Sequence, residues 1–448
     1  MKNVDMLSSS ITKGLISMTV PIMIMNVMQS VFTIIDMTSL KYFSSDSAVG
    51  AIGVCGTLIA LVTSLLVGVS SGANVVVANR IGQGKKEDSG KAVTTAFLTA
   101  IAGGLLLLVV GVTFAEFSLK LTNCPEALLP KSTNYFKIYF LGVPILMFYN
   151  FCASILRAIG DTKKPMFFII LAGFLKIILT IIFLSFTDMT VEGVAVATII
   201  SQFIAALLAF ITILRNDDIL HLDFKKIRFY GKELKEMLFL GIPTGLQQSL
   251  YSLANVVIIT TVNSFGANAA TGVSIANQFD GILYQVAVAP SLAVMPYVAQ
   301  NAGAREITRV KKIITRAILI TIAFSASLGA LSAIFSGNLS SIMSSNPEII
   351  AYSRQKMVII SSTYFICGIN EVIGGILKGL GKPIVPTIST LIYMCIIRFP
   401  WVYFIFPLCP TLTFLYLIWP IGWILSITTQ LFAYFPAISN LQKQCDCK

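Results

Sequence analysis

Charged side chains are scarce in this 448-residue chain, at 12% against 56% hydrophobic, and the mean hydropathy is +0.85. So little charge does not cover a soluble domain of this size. Histidine occurs once, at His221 in a polar stretch, which excludes an intramembrane imidazole relay and leaves any proton to carboxylates. The sequence holds no histidine-rich metal cluster, paired-aspartate protease motif or nucleophile elbow, so an enzyme is not expected. Strict alternation is missing from the apolar runs, which argues against a membrane barrel. The eight cysteines show no spacing of a disulfide framework or a zinc site. Cys55, Cys152, Cys367, Cys395 and Cys409 sit in apolar segments as packing thiols, while the tail pair Cys445 and Cys447 reads as reduced, with lipidation or metal binding as alternatives. No cleavable signal is expected, because Met1 to Lys13 is short and polar and the span after it is too long for a signal core.

What the chain does contain is a series of apolar runs, most of them reaching the roughly 20 residues that a helix needs to cross hydrocarbon. Twelve are expected, at 15–40, 48–77, 93–117, 133–156, 165–187, 191–214, 236–262, 267–300, 313–336, 350–377, 386–408 and 411–437. The net charge of +12 is unevenly spread. Lysine and arginine number 24 in the termini and the even-to-odd loops, against 6 in the opposite loops and their helix ends, Lys356 among the latter. The positive-inside rule then places both termini in the cytosol and explains the basic balance without nucleic acid. Only Lys176 and Arg398 remain as bases inside spans.

The two halves repeat each other. Ile155-Leu156-Arg157-Ala158-Ile159-Gly160 followed by Pro165 matches Ile376-Leu377-Lys378-Gly379-Leu380-Gly381 followed by Pro386, a shift of 221 residues. Gln29-Ser30-Val31-Phe32 lines up with Gln248-Ser249-Leu250-Tyr251, and Val77-Ala78-Asn79 with Gly82 matches Val298-Ala299-Gln300 with Gly303. Six spans per copy make the repeats parallel, related by an axis along the membrane normal, as in many transporters. The expected division is an N-terminal lobe at 1–214, a charged linker at 215–236 and a C-terminal lobe with a short tail at 237–448.

Several stretches resemble the multidrug and toxin extrusion (MATE) family. They are Gly72-Ala73-Asn74-Val75-Val76-Val77-Ala78 with Gly82-Gln83-Gly84, Leu156-Arg157-Ala158-Ile159-Gly160-Asp161-Thr162-Lys163-Lys164-Pro165, and Gln300-Asn301-Ala302-Gly303-Ala304. Cys367-Gly368-Ile369-Asn370-Glu371-Val372 and Tyr416 to Trp423 look like the bacterial, DinF-like branch. The resemblance implies an all-α integral membrane protein, twelve transmembrane helices in two six-helix pseudo-symmetric lobes around a central cavity. It implies export of organic, often cationic compounds in exchange for H⁺ or Na⁺, with no cofactor beyond the coupling ion.

Asp36 is the one acid within the first apolar stretch, and a carboxylate at bilayer depth needs a partner or water. Lys41 and Asp46 follow closely, so a place at the membrane edge is the rival reading. The resemblance matches Asp36 to the family's first-helix aspartate. At the fifth-helix positions where relatives carry an Asn and an Asp for cation binding, this chain has Lys176 and Thr180, one helical turn apart. Lys176 is expected either to reach Asp36 as a tethered cation or to face water without touching it. In the second half Glu371 and Arg398 are expected to form a fixed salt bridge or else a coupling pair. Gln247 or Gln248 stands near a place where some relatives carry a glutamate; neither can titrate. Asp280 is expected to face the cavity or to sit at a helix edge.

For substrate, the candidate cavity residues are Phe148, Tyr149, Asn150, Gln248, Tyr251, Asn255, Asp280, Tyr284, Gln285, Met295, Tyr364 and Asn370. Aromatic faces and thioethers suit flat cations of varied shape, although for any single aromatic packing is the safer explanation. The expected partners are small organic cations or other amphipathic molecules and membrane lipids, with no nucleic acid, and a monomer. The alternative function is a flippase for a phospholipid or lipid-linked oligosaccharide, which would require a strongly basic interior.

Overall fold

The computed structural model describes residues 4–43, 46–122, 124–126, 128–187, 189–216, 220 and 227–446. His221, and the side chains of Tyr251 and Asn255, lie outside the described residues.

All regular structure among the described residues is helical. The apolar runs become α1 (Ile11–Phe43), α2 (Asp46–Gly82), α3 (Lys86–Thr113) with the short α4 (Ala115–Leu121), α5 (Leu129–Ala158), α6 (Lys163–Phe186) and α7 (Val191–Leu214). The second half gives α8 (Gly231–Asn263), α9 (Ala267–Gly303), α10 (Ile307–Ile334) with the short α11 (Ser336–Met343), α12 (Pro347–Ser362) and α13 (Tyr364–Gly379). After these come α14 (Ile384–Thr390), which continues through wider turns to Leu408, then the short α15 (Leu412–Tyr416) and α16 (Ile418–Asp446). Among the described residues ten helices are long and apolar enough to cross a membrane, and α12 with α13 makes an eleventh bent by 46°. At 33 residues α8 is also of crossing length.

The bend between α12 and α13 has a local cause. The Thr363 hydroxyl donates back to the carbonyls of Ile359 and Ile360 at 3.1 and 2.9 Å, drawing them from the helical ladder. Around Arg398 the helix widens twice, at Leu391–Ile396 and Trp401–Ile405, either side of the turn Arg398–Pro400. Pro400 has no N–H to give to the preceding turn, so the ladder must open there.

The chain forms two compact units, Met1–Asp5 with Ile24–Gly245 and Met6–Met23 with Leu246–Lys448. In the first, α5 packs against α2, α3 and α7, and α6 lies on α7. In the second, α9 packs against α10, α12 and α13, and α13 against α16. The start of α8 belongs to the first unit because small residues let two backbones meet. A Cβ on Gly68 of α2 would lie 2.1 Å from the Gly245 Cα, and one on Gly72 would lie 2.2 Å from the Met237 carbonyl. Arg80 then bonds Glu236 at 2.6 Å across the same seam.

The repeat shows in the backbone as well. After α5 and after α13 the chain turns through a left-handed glycine, Gly160 (φ 84°) and Gly381 (φ 78°). The amides of Asp161 and Lys382 reach back to the carbonyls of Leu156 and Leu377 at 2.9 and 2.8 Å, the same helix-ending turn in both copies. The copies differ only in surroundings: a Cβ on Gly160 would meet the Val4 carbonyl at 2.2 Å, whereas one on Gly381 meets nothing within 4 Å. Gly381→Ala is therefore expected to cost about 1–2 kcal/mol for the left-handed backbone alone, and Gly160→Ala distinctly more. Thermal melts of the two variants in detergent check the difference, and equal losses would contradict it.

Candidate functional site

In the first unit α1 and α6 meet through a ring and a gap. Gly173 leaves room for Phe32, since a Cβ there would sit 1.9 Å from the ring, and Phe32 also packs edge-on to Phe174 with centroids 6.1 Å apart. One turn beyond Phe32 on α1 stands Asp36, and just beyond Gly173 on α6 stands Lys176. Their side chains join in an ion pair, Nζ to Oδ2 at 2.5 Å. Of the two expectations for Lys176, the tethered cation is the one observed. The second carboxylate oxygen, Oδ1, is buried and accepts no hydrogen bond among the described residues. Thr180, the next turn of α6, is buried, and its hydroxyl likewise has no described partner. The pair keeps some access: 13% of the Asp36 side chain and 18% of Lys176 are exposed.

The second unit holds a different pair from the one expected. Lys356 of α12, placed by the sequence reading among the helix-end cations outside the membrane, is buried, its side chain 3% exposed. It bonds Asp280 of α9 at 2.7 Å and donates to Asn277, one turn away on the same helix. Close packing of α9 on α12 explains the burial, because Gly272 leaves no room for a Cβ beside the Ile349 carbonyl and Tyr352. The indole of Trp419 faces both bases, 5.8 Å from the Lys356 Nζ and 5.2 Å from the Arg398 guanidinium. Tyr364 donates its hydroxyl to the Asp280 carbonyl at 3.0 Å.

Glu371 and Arg398 do not form the expected salt bridge. The widened turns around Pro400 carry Arg398 to the Trp419 face, while Glu371 lies within the packing of α13, its carbonyl accepting from Ser291 at 2.8 Å. Its Oε1 is buried without a described hydrogen bond. Two candidate cavity residues are buried and hydrogen-bonded to neighbouring helices or turns. Asn370 is buried and accepts from Gln430 of α16 at 2.9 Å, and Tyr149 is buried with its hydroxyl donating to the Pro165 carbonyl at 3.1 Å. Met295 is buried, and Gln247 is buried and donates to Thr390 at 3.0 Å. Asn150 is half-buried and donates to the Leu146 carbonyl within its own helix, and Gln248 and Tyr284 are half-buried. The site residue that sequence reasoning missed is Lys356. Its signal was an intramembrane acid, Asp280, left without any assigned base.

Known proteins give a consistent answer. The MatE family model matches twice, over residues 21–182 and 243–404, one copy in each half. The probable multidrug resistance protein YpnP of Bacillus subtilis is 28% identical over 402 residues, 89% of this chain and 89% of that protein. The probable multidrug resistance protein NorM of Thermotoga maritima is 27% identical, covering 87% of this chain and 84% of its own length. Among solved structures, a MOP superfamily transporter from Pyrococcus furiosus superposes with a TM-score of 0.89 at 19% identity, over 99% of both chains. With the family model matched over most of its length in two copies, the chain belongs to the MATE family of multi-pass membrane transporters.

Proposed function

We propose that the chain exports organic compounds, chiefly cations, by antiport, and that Asp36 is the coupling residue. The observation that carries this is the Lys176 to Asp36 ion pair, held by two helices at 2.5 Å and still partly accessible. While the pair is closed, the site is neutral and tolerates an organic cation nearby. Protonation of Asp36 removes the negative charge and leaves the Lys176 ammonium to repel that cation. Departure of the proton restores the pair. Proton and substrate thus exchange because the site favours only one of them at a time, which is the thermodynamic core of antiport.

A proton suits this arrangement better than Na⁺. Sodium takes its ligands from several oxygens, and here an ammonium group already occupies the carboxylate, with Thr180 the hydroxyl one turn away. The charge asymmetry of the loops supports a plasma-membrane protein with both termini in the cytosol. The second pair has a different role. Lys356 is bound by Asp280, Asn277 and the Trp419 face and is nearly inaccessible, so it serves as a fixed pin between α9 and α12. The flippase alternative asks for a strongly basic interior, but Asp36 and Asp280 neutralise Lys176 and Lys356 among the bases of the membrane helices.

The test uses purified protein in liposomes carrying an imposed pH or Na⁺ gradient, with ethidium as the organic cation. Wild type is expected to discharge the pH gradient when ethidium is added, and Asp36→Asn to abolish this while remaining folded. An equally active Asp36→Asn protein would remove Asp36 from coupling. Lys176→Gln leaves a net negative site, so its KM for ethidium should fall while turnover slows; a raised KM would contradict the repulsion step. Lys356→Met strands Asp280 and is expected to lower stability by about 3 kcal/mol, read as a lower melting temperature. Coupling per folded molecule should persist, and its loss would make the second pair part of the transport machinery.

A further inference from the structure

A further concavity lies within the second unit. The segment Ser8 to Thr12 and the first three turns of α10 enclose an open concavity of about 880 Å³. Arg309, Lys311, Lys312 and Arg316 line it, and no carboxylate among the described residues does. Arg309 is already committed to structure: its guanidinium donates to the carbonyls of Met6 and Ser9, at 3.2 and 2.5 Å, and so straps the N-terminal segment onto α10. Lys311 reaches sideways to Gln442 of α16 at 3.1 Å. Lys312 and Arg316, four residues apart and exposed, remain on one face of α10 beside the hydroxyls of Ser8, Ser10 and Thr315. Like charges at that spacing repel and weaken a helix unless an anion lies between them.

The same face becomes apolar as α10 proceeds. Leu319, three residues beyond Arg316, closes the concavity at its apolar end and is 53% exposed. Positive charge and hydroxyls at one end, an open apolar edge at the other, at the point where a membrane-crossing helix begins, match one class of molecule. We propose that this concavity binds an anionic phospholipid, its phosphate held by Lys312, Arg316 and the serine hydroxyls and its acyl chains running past Leu319. A free phosphate would use the basic end but gain nothing from the apolar edge. Basic recesses at the ends of membrane helices recognise headgroups through this combination of charge and hydrogen-bond donors.

The experiment measures binding to the delipidated, detergent-solubilised full chain by native mass spectrometry and by thermal melting. The probes are dioctanoylphosphatidylglycerol, dioctanoylphosphatidylcholine and glycerol 3-phosphate. The proteins are wild type, Lys312→Gln with Arg316→Gln, and Lys85→Gln with Lys86→Gln, which removes the same charge from another exposed place. Wild type should retain phosphatidylglycerol at least about tenfold more tightly than phosphatidylcholine, and the first variant should lose that preference while the second keeps it. Both altered pairs are exposed, so the melts without lipid should match wild type; a fall confined to the first variant would be checked with Lys312→Arg, which should restore binding. The proposal is overturned if wild type holds the two lipids equally, if the first variant keeps the preference, or if the second loses it as fully. Glycerol 3-phosphate bound as tightly as the lipid would also overturn it, marking a soluble-anion site.

Discussion

A charge inside hydrocarbon has to be met by an opposite charge, an aromatic face or water, and the interior of this protein is arranged around that requirement. Asp36 meets Lys176, Asp280 meets Lys356, and Arg398 lies over the Trp419 ring. Each contact joins two different helices, and each depends on a local device that brings the side chains together. For the first pair the device is Gly173 receiving Phe32; for the second it is Gly272 against α12; for the third, the wide turns beside Pro400. Weakening a device therefore disturbs a charge, which is why packing and function are hard to separate in such an interior.

The two halves share a backbone plan but not a charge plan. The glycine turns at Gly160 and Gly381 have the same hydrogen bonds, and Gly84 (φ 70°) is matched at the repeat distance by Arg305 (φ 60°), a residue that adopts the left-handed region at a cost. The acids, in contrast, come from different helices: α1 in one unit, α9 in the other. Duplication fixed where the chain turns, because those turns are needed to end the helices. The interior charges were free to diverge. One pair stayed partly accessible and the other became enclosed, which is the physical basis for giving them separate roles.

Much of this was legible in the amino-acid order. The apolar runs became the expected helices, the repeat reappeared as paired turns, and the pairing of Asp36 with Lys176 was one of the two expectations that the family resemblance raised for that lysine. Lys356 was not legible as an interior residue. A lysine one or two turns into an apolar run looks the same whether it extends to the membrane surface or is held by a neighbouring helix, and only the packing of α9 on α12 distinguishes the two. The Glu371 to Arg398 bridge was expected because an acid and a base stand in successive spans, but that does not fix the direction in which either side chain points. The widened turns around Pro400 rotate Arg398 out of the register of a regular helix. The partners of Asn370 and Tyr149, Gln430 and the Pro165 carbonyl, were not legible either.

The central claim is that one carboxylate, Asp36, exchanges a proton for a bound organic cation. Proton release on addition of tetraphenylphosphonium to the detergent-solubilised protein, followed in weakly buffered solution with a pH indicator, tests it without membranes or gradients. The account predicts a saturable release in wild type near the pH at which Asp36 is part-protonated, absent in Asp36→Asn protein that still binds the cation. Equal release from both proteins, or saturable binding with no release at any pH tried, would contradict it.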